Sequence, residues 1–456
     1  MERTRTFRHG ARAVATIAVV ALFAAACEGS RDEETKPTSG NGDPTATTVE
    51  GTPPTLIDAS QCPPFSIEGD TIKLGISIPQ SGLYSAFDDI RVGAEIFFDA
   101  RNAQGGVTVA GTDYKIELTA LDDAYDAQET VNNVNELIND EDVFALFSVV
   151  GTKNNLAIRD IVQEQCVPDL FAATGAAAWG NKDYPWLVGT PLVPYPLEMR
   201  ALVDYLTENN PTAKVAILRA SDDFGATYSE VFSSLIEGSD ITVVKEETYN
   251  PEVFDTKSQI TSLAATDADV LILGTTLLAC PDALGNVKDA GWEPLVYLSG
   301  TCTSKTIIGL AGDAADGVFS VSSFMDPADP QWESNVQMQL FKDNIAEFGP
   351  DDADPESGVI GFGWSAAAIL VEALERSPEL TRAAVMETTR TMADVSEIGL
   401  MVPGAVFNLN ADDWFLGETF NLVQYSFSKG YFEVVDGPLD FDGETTTVTP
   451  DELING

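Results

Sequence analysis

From Thr71 onward, short runs of apolar and β-branched residues alternate with amphipathic segments, and this alternation restricts the chain to one class of architecture. TIKLGISIP reads as a strand, AFDDIRVGAEIFFDARNAQGG as a helix with a glycine stop, and YKIELTALDD as the next strand. QETVNNVNELIND (helix), VFALFSVVG (strand), NNLAIRDIVQEQC (helix) and VPDLFAAT (strand) continue the pattern. Apolar strands joined by helical crossovers form a parallel sheet covered on both faces. Beyond the Pro-rich YPWLVGTPLVPYP the pattern restarts with KVAILRAS, ITVVKEETY, DVLILGTT and PLVYLSG, separated by further helices, which predicts a second α/β lobe. From about Asp326 the chain turns helical, and NLVQYSFSKGYFEVVD closes it as a hairpin, so late segments must return to the lobes through several crossovers.

Composition narrows the chemistry. With 72 acidic against 25 basic residues in 456, a net charge of -47 excludes nucleic-acid binding through a basic face. The single histidine, His9, lies in an N-terminal stretch expected to be removed, which leaves no imidazole for a Ser-His-Asp triad, a Cys-His pair or a His-bearing zinc site.

Arg3, Arg5, Arg8 and Arg12 precede the 14-residue apolar run Ala13 to Ala26, shorter than the ~20 residues of a spanning helix, so the start reads as an export signal. Cys27 follows small residues as in a lipoprotein processing site, with Ala24 where such sites usually carry Leu; AAA also suits ordinary A-x-A cleavage. Lipidation of Cys27 leaves an even set of four cysteines. The polar, Thr- and Pro-rich stretch after it reads as a tether. Cleavage after Ala26 leaves 21 basic and 71 acidic residues. The expected division is 1–26 signal, 27–70 anchor and linker, 71–192 with 323–399 as lobe 1, and 193–322 with 400–450 as lobe 2.

IPQSGLYSAFDDIRVGAEIFFDARNAQGG, DDAYDAQETVNNVNELI, GTKNNLAIRD and VPDLFAATGAAAWG followed by YPW, in that order, resemble the type 1 periplasmic binding proteins, nearest the branched-chain amino acid substrate-binding proteins of ABC importers. The resemblance spans roughly Thr71 to Val435. It implies two Rossmann-like lobes with parallel sheets, joined by a multi-crossover hinge and closing on a ligand recognised by an import permease. It places ligand contacts on Ser81 to Phe87, on Gly151 and Thr152, and on Thr174, Gly175 and Ala176, a set whose hydroxyls and amides suit a carboxylate. In lobe 2 it points to Asp222, Phe224, Thr276 and Thr301. Thr301 stands where branched-chain binders present a Glu to the ligand ammonium, so the expected ligand is a small polar solute: another amino acid held by Asp222, an amide, a urea-like molecule or an organic acid.

No cofactor or metal is expected. GFGWSA lacks the strand and acid of a dinucleotide fingerprint and suits close helix packing; NLNADDWFLGET puts Asp413 and Thr419 where a calcium loop needs Gly and Glu. Strand order predicts a Cys280–Cys302 disulfide, and elimination pairs Cys62 with Cys166. The expected role is a monomeric, lipid-anchored solute-binding protein on the outer face of the cytoplasmic membrane, not an enzyme. A surface sensor of the same fold and, distantly, a secreted carboxylate hydrolase are the alternatives.

Overall fold

The structure is a computed structural model that describes residues 56–455; the signal stretch, Cys27 and most of the tether lie outside the described residues. The first sheet takes strands β1 (Thr71–Ile78), β2 (Val107–Val109), β3 (Thr112–Asp122), β4 (Ala145–Phe147), β5 (Asp169–Ala172) and β6 (Leu187–Gly189) in the order β2-β3-β1-β4-β5-β6. It is parallel apart from the β2–β3 edge. Helices α1 (Asp89–Ala103), α2 (Ala127–Asn139) and α3 (Thr152–Gln165) join its strands.

Past Gly189 the chain crosses to a second sheet: β7 (Lys214–Ala220), β8 (Thr242–Tyr249), β9 (Val270–Gly274), β10 (Leu295–Leu298) and β11 (Phe319–Ser322), with helices α4 (Tyr195–Asn209), α5 (Asp223–Leu235), α6 (Lys257–Ala264), α7 (Ala279–Asp289) and the single turn α8 (Lys305–Ile308). It returns for α9 (Val336–Phe348), α10 (Gly358–Arg376), α11 (Arg382–Arg390) and a two-residue ribbon, β12 (Val395–Ser396) with β13 (Val406–Phe407). A third crossing delivers β14 (Thr419–Ser426) and β15 (Tyr431–Asp440), the expected hairpin, which extends the second sheet to β15-β14-β11-β10-β9-β7-β8. That hairpin is antiparallel, so the second sheet is mixed, not purely parallel.

GFGWSA proves to be helix packing. A Cβ on Gly363 would lie 1.9 Å from the Ile90 carbonyl oxygen, and one on Gly93 would lie 2.0 Å from that of Ile360, so α1 and α10 touch backbone to backbone. By length and composition α10 could cross a membrane, yet it is mostly buried in the fold as a core helix. The linker end is tied down earlier than its composition suggests. The Leu56 and Ile57 amides donate to the Glu387 carboxylate, Arg382 stacks 3.8 Å over Phe65, and Cys62 is bonded to Cys166 at a Cα separation of 5.5 Å. Arg390 is fully buried, 3.6 Å over the Trp414 ring, and donates to the carbonyls of Tyr184, Pro185 and Leu187.

Candidate functional site

The loops after β1, β4 and β5 of the first sheet and after β7, β9 and β10 of the second carry the residues singled out above. Gly151 enters α3 at φ +104°, and a Cβ there would strike the Tyr125 ring at 2.7 Å. The Thr152 and Thr174 hydroxyls, both buried, bond each other at 2.7 Å, and the Thr174 hydroxyl donates to Tyr195 Oη at 3.3 Å. These groups are therefore paired with one another. Gly175 lies against Val193 and Tyr195, with Ala176 buried beside it.

Across the gap, Asp222 caps α5 by accepting from the Gly225 amide at 3.0 Å; burial raises its carboxyl, opposed by that amide and by Lys153 of the first lobe. Phe224 packs edge-on to Tyr195 and Tyr228. Thr276 is buried at the end of β9, and the Thr301 hydroxyl donates to the Thr275 carbonyl at 3.3 Å. Ser81 is exposed, its amide donating to Asp122.

Tyr84, within the Ser81 to Phe87 stretch, joins the lobes, backed by Tyr125, which was not singled out from the sequence. Tyr84 Oη donates to the Pro251 carbonyl at 3.0 Å, and its ring stacks on Tyr125 at 3.8 Å and meets Phe254 at 5.1 Å. DDAYD explains where Tyr125 stands. Asp122 accepts from the Gln80 and Ala124 amides, while buried Asp123 accepts from Ser77, Thr130 and the Tyr125 amide, fixing the turn.

A cavity of about 130 Å³ lies beside this contact, toward the crossings. Phe87 and Thr301 line it; the other sequence-chosen residues do not, although Val150 and Ala173, next to Gly151 and Thr174, do. Its walls are Phe87 and Ile90 of the α1 end, Gly300 to Ser304 after β10, Phe324 to Pro327 of the second crossing, Val359 and Phe362 of α10, and Asn421 and Phe432 of the hairpin. It is largely apolar, with polar groups at Thr301, Thr303, Ser304, Ser322, Asp326 and Asn421.

Glu198 holds one wall. Fully buried on α4, it accepts from Tyr297 Oη at 3.0 Å, the Gly300 amide at 3.1 Å and Tyr228 Oη at 3.2 Å, and burial pushes it up to about 8 against these donors. Its signal was present: 195, 198, 199, 202 and 206 form one helical stripe, apolar except for this Glu. The Cys280–Cys302 disulfide, with a Cα separation of 6.3 Å, braces the same loop.

Elsewhere, oxygens of Asp413, Glu418 and Asp442 converge within 4.8 Å. Glu418, pushed up to about 8 by burial and then by Asp413, accepts from the Gly443 and Thr445 amides, so the cluster clasps a turn.

Two α/β lobes whose strand-end loops enclose a largely apolar cavity define a solute-binding scaffold. The sequence matches the periplasmic binding protein family over residues 71–429, and the chain belongs to that family. Its fold is that of a branched-chain amino acid ABC transporter protein from Thermus thermophilus with bound valine (18% identity, 82% of this chain and 97% of that one, TM-score 0.70). Similar too are a fatty acid ABC transporter substrate-binding protein from Thermomonospora curvata (20%, 85% and 96%, 0.71) and an R. palustris solute-binding protein in complex with benzoate (18%, 80% and 95%, 0.66).

Proposed function

We propose that this chain is an exported, lipid-tethered binding protein that captures a small solute between its lobes and delivers it to an ABC import permease, without making or breaking a bond. The observation that carries this reading is the cavity, whose walls come from the strand-end loops of both sheets and from the crossing segments. Its largely apolar lining shifts the ligand from the small polar solute expected above toward one whose apolar part is substantial and whose hydrogen-bonding groups are few. The Tyr84–Pro251 bond and the Tyr84–Phe254 contact are what would latch the lobes over it. The relatives' ligands, valine, a fatty acid and benzoate, each combine an apolar body with a polar head and support a search in that class.

The test is a thermal-shift panel of aliphatic amino acids, short carboxylates and short amines on the wild-type protein and on Val359→Trp, which fills the cavity wall. A solute at a hundred times its dissociation constant stabilises the folded state by about 2.7 kcal/mol. Stabilisation by a panel member that is lost in Val359→Trp supports the reading, and stabilisation that survives the substitution contradicts it.

A further inference from the structure

We propose that Asp326 is the recognition point for a positively charged nitrogen on the solute, so that the ligand class is a small organic cation with an apolar body. The inference rests on the cavity being the solute site. Among the described residues that line it, Asp326 is the one ionisable group, and no Lys, Arg or His stands with it. The carboxylate is held from two directions: Oδ1 accepts from the Ala328 amide at 2.9 Å, two residues on in the same crossing, and Oδ2 accepts from the Phe432 amide of the hairpin at 3.2 Å. Each oxygen takes one backbone donor, and a carboxylate oxygen accepts two, so both keep a free lone pair.

The nearby protein cation is already engaged, since Lys305 Nζ is paired with Glu356. Burial raises the Asp326 carboxyl to about 6 despite its two amide donors and Lys305, so a compensating positive charge is what this group lacks. The rings of Phe324, Trp332 and Phe362, which also line the cavity, provide apolar surface for the rest of the solute and π faces for a cation. An anionic head, by contrast, would meet no basic side chain in this lining.

Ser304 supplies a second polar point. The residue is 6% exposed and lines the same cavity, and its buried Oγ has no hydrogen-bond partner among the described residues. A buried hydroxyl left unpaired is costly, and a second polar group on the solute would satisfy it.

Three probes that share one branched alkyl body separate the possibilities: leucine with both charges, isoamylamine with the ammonium alone, and isocaproate with the carboxylate alone. Calorimetric titration of the full mature chain is expected to show isoamylamine and leucine binding and isocaproate weaker than isoamylamine by about tenfold or more, with Asp326→Asn weakening isoamylamine by about tenfold to a hundredfold, the range of a charge-assisted hydrogen bond. Isocaproate binding as tightly as isoamylamine, an unchanged affinity in Asp326→Asn, or no binding of isoamylamine overturns the inference. The probe series on the wild-type protein decides even if Asp326→Asn folds poorly. If isocaproate binds as tightly as isoamylamine and Val359→Trp abolishes it, the cavity stands and only the charge assignment falls; if Val359→Trp leaves every bound probe unaffected, the cavity reading itself fails.

Discussion

Tyr84 is the most exacting place to perturb lobe closure, because one side chain supplies a hydrogen bond and two ring contacts at the lobe junction. Tyr84→Phe removes only the 3.0 Å bond to the Pro251 carbonyl and keeps the stack on Tyr125. A net contribution of about 1 kcal/mol for such a bond lowers the closed-to-open ratio about fivefold. Where the solute-free protein is mostly open, that factor passes directly into apparent affinity. Tyr84→Ala also removes the stack at 3.8 Å and the edge contact with Phe254 at 5.1 Å. The Tyr125 stack lies within the first lobe and is kept in the open state, so only the bond and the Phe254 contact count toward closure: at about 1 kcal/mol each the loss is about 2 kcal/mol, or roughly thirtyfold in affinity. Titration calorimetry gives the affinities, and small-angle scattering gives the contraction on binding. Affinities within twofold of wild type in both variants, with unchanged contraction, would show that Tyr84 does not latch the lobes.

Glu198 and Glu418, both pushed up to about 8, Asp169 to about 7 and Asp326 to about 6 keep their protons in the folded state longer than in the unfolded chain, chiefly through burial. Their stabilising effect is complete below the unfolded carboxyl values and is lost as pH rises through the folded ones, so the melting temperature should fall between about pH 4 and about pH 8; a scanning fluorimetry profile that is flat or rising would contradict this. Because Glu198 is held neutral near pH 7, Glu198→Gln should cost under about 1 kcal/mol there and flatten the upper part of that profile. Arg390→Ala, which leaves a void under Trp414 and orphans three carbonyls, should cost about 3 to 5 kcal/mol in urea unfolding, and a loss below about 1 kcal/mol would refute the structural role. Removing the Cys62–Cys166 bond, which spans 104 residues, should destabilise by about 4 to 5 kcal/mol, against about 3 for Cys280–Cys302, which spans 22; the reverse order in denaturant titrations of the two double-serine variants would contradict the chain-entropy account.

The fold was legible because its signal is periodic and local. Buried strands such as DVLILGTT and helices with apolar stripes report on their immediate neighbours, and those neighbours come from the same segment. The strand-end loops at Gly151 and Thr174 were pointed to by the family resemblance, not by any period. What they do was not legible, since the Thr152–Thr174 bond and its link to Tyr195 depend on α4, brought in by the first crossing. Asp326 sits in DPADP, which reads as a plain turn; its place at the cavity is set by the Phe432 amide, 106 residues away. Tyr84 likewise depends on a carbonyl 167 residues away. Glu198 was recoverable from its stripe, whereas the Pro-rich crossings carry no period from which a cavity wall could be read.

The central claim, that the cavity between the lobes holds a small solute, is tested most directly by native mass spectrometry of the mature chain purified from its own host without a denaturing step. A discrete adduct with an apolar body and a nitrogen cation is expected, released on unfolding and missing from Val359→Trp. An adduct equally present in Val359→Trp, or a wild-type chain that carries none and takes up no member of the solute panel afterwards, would contradict it.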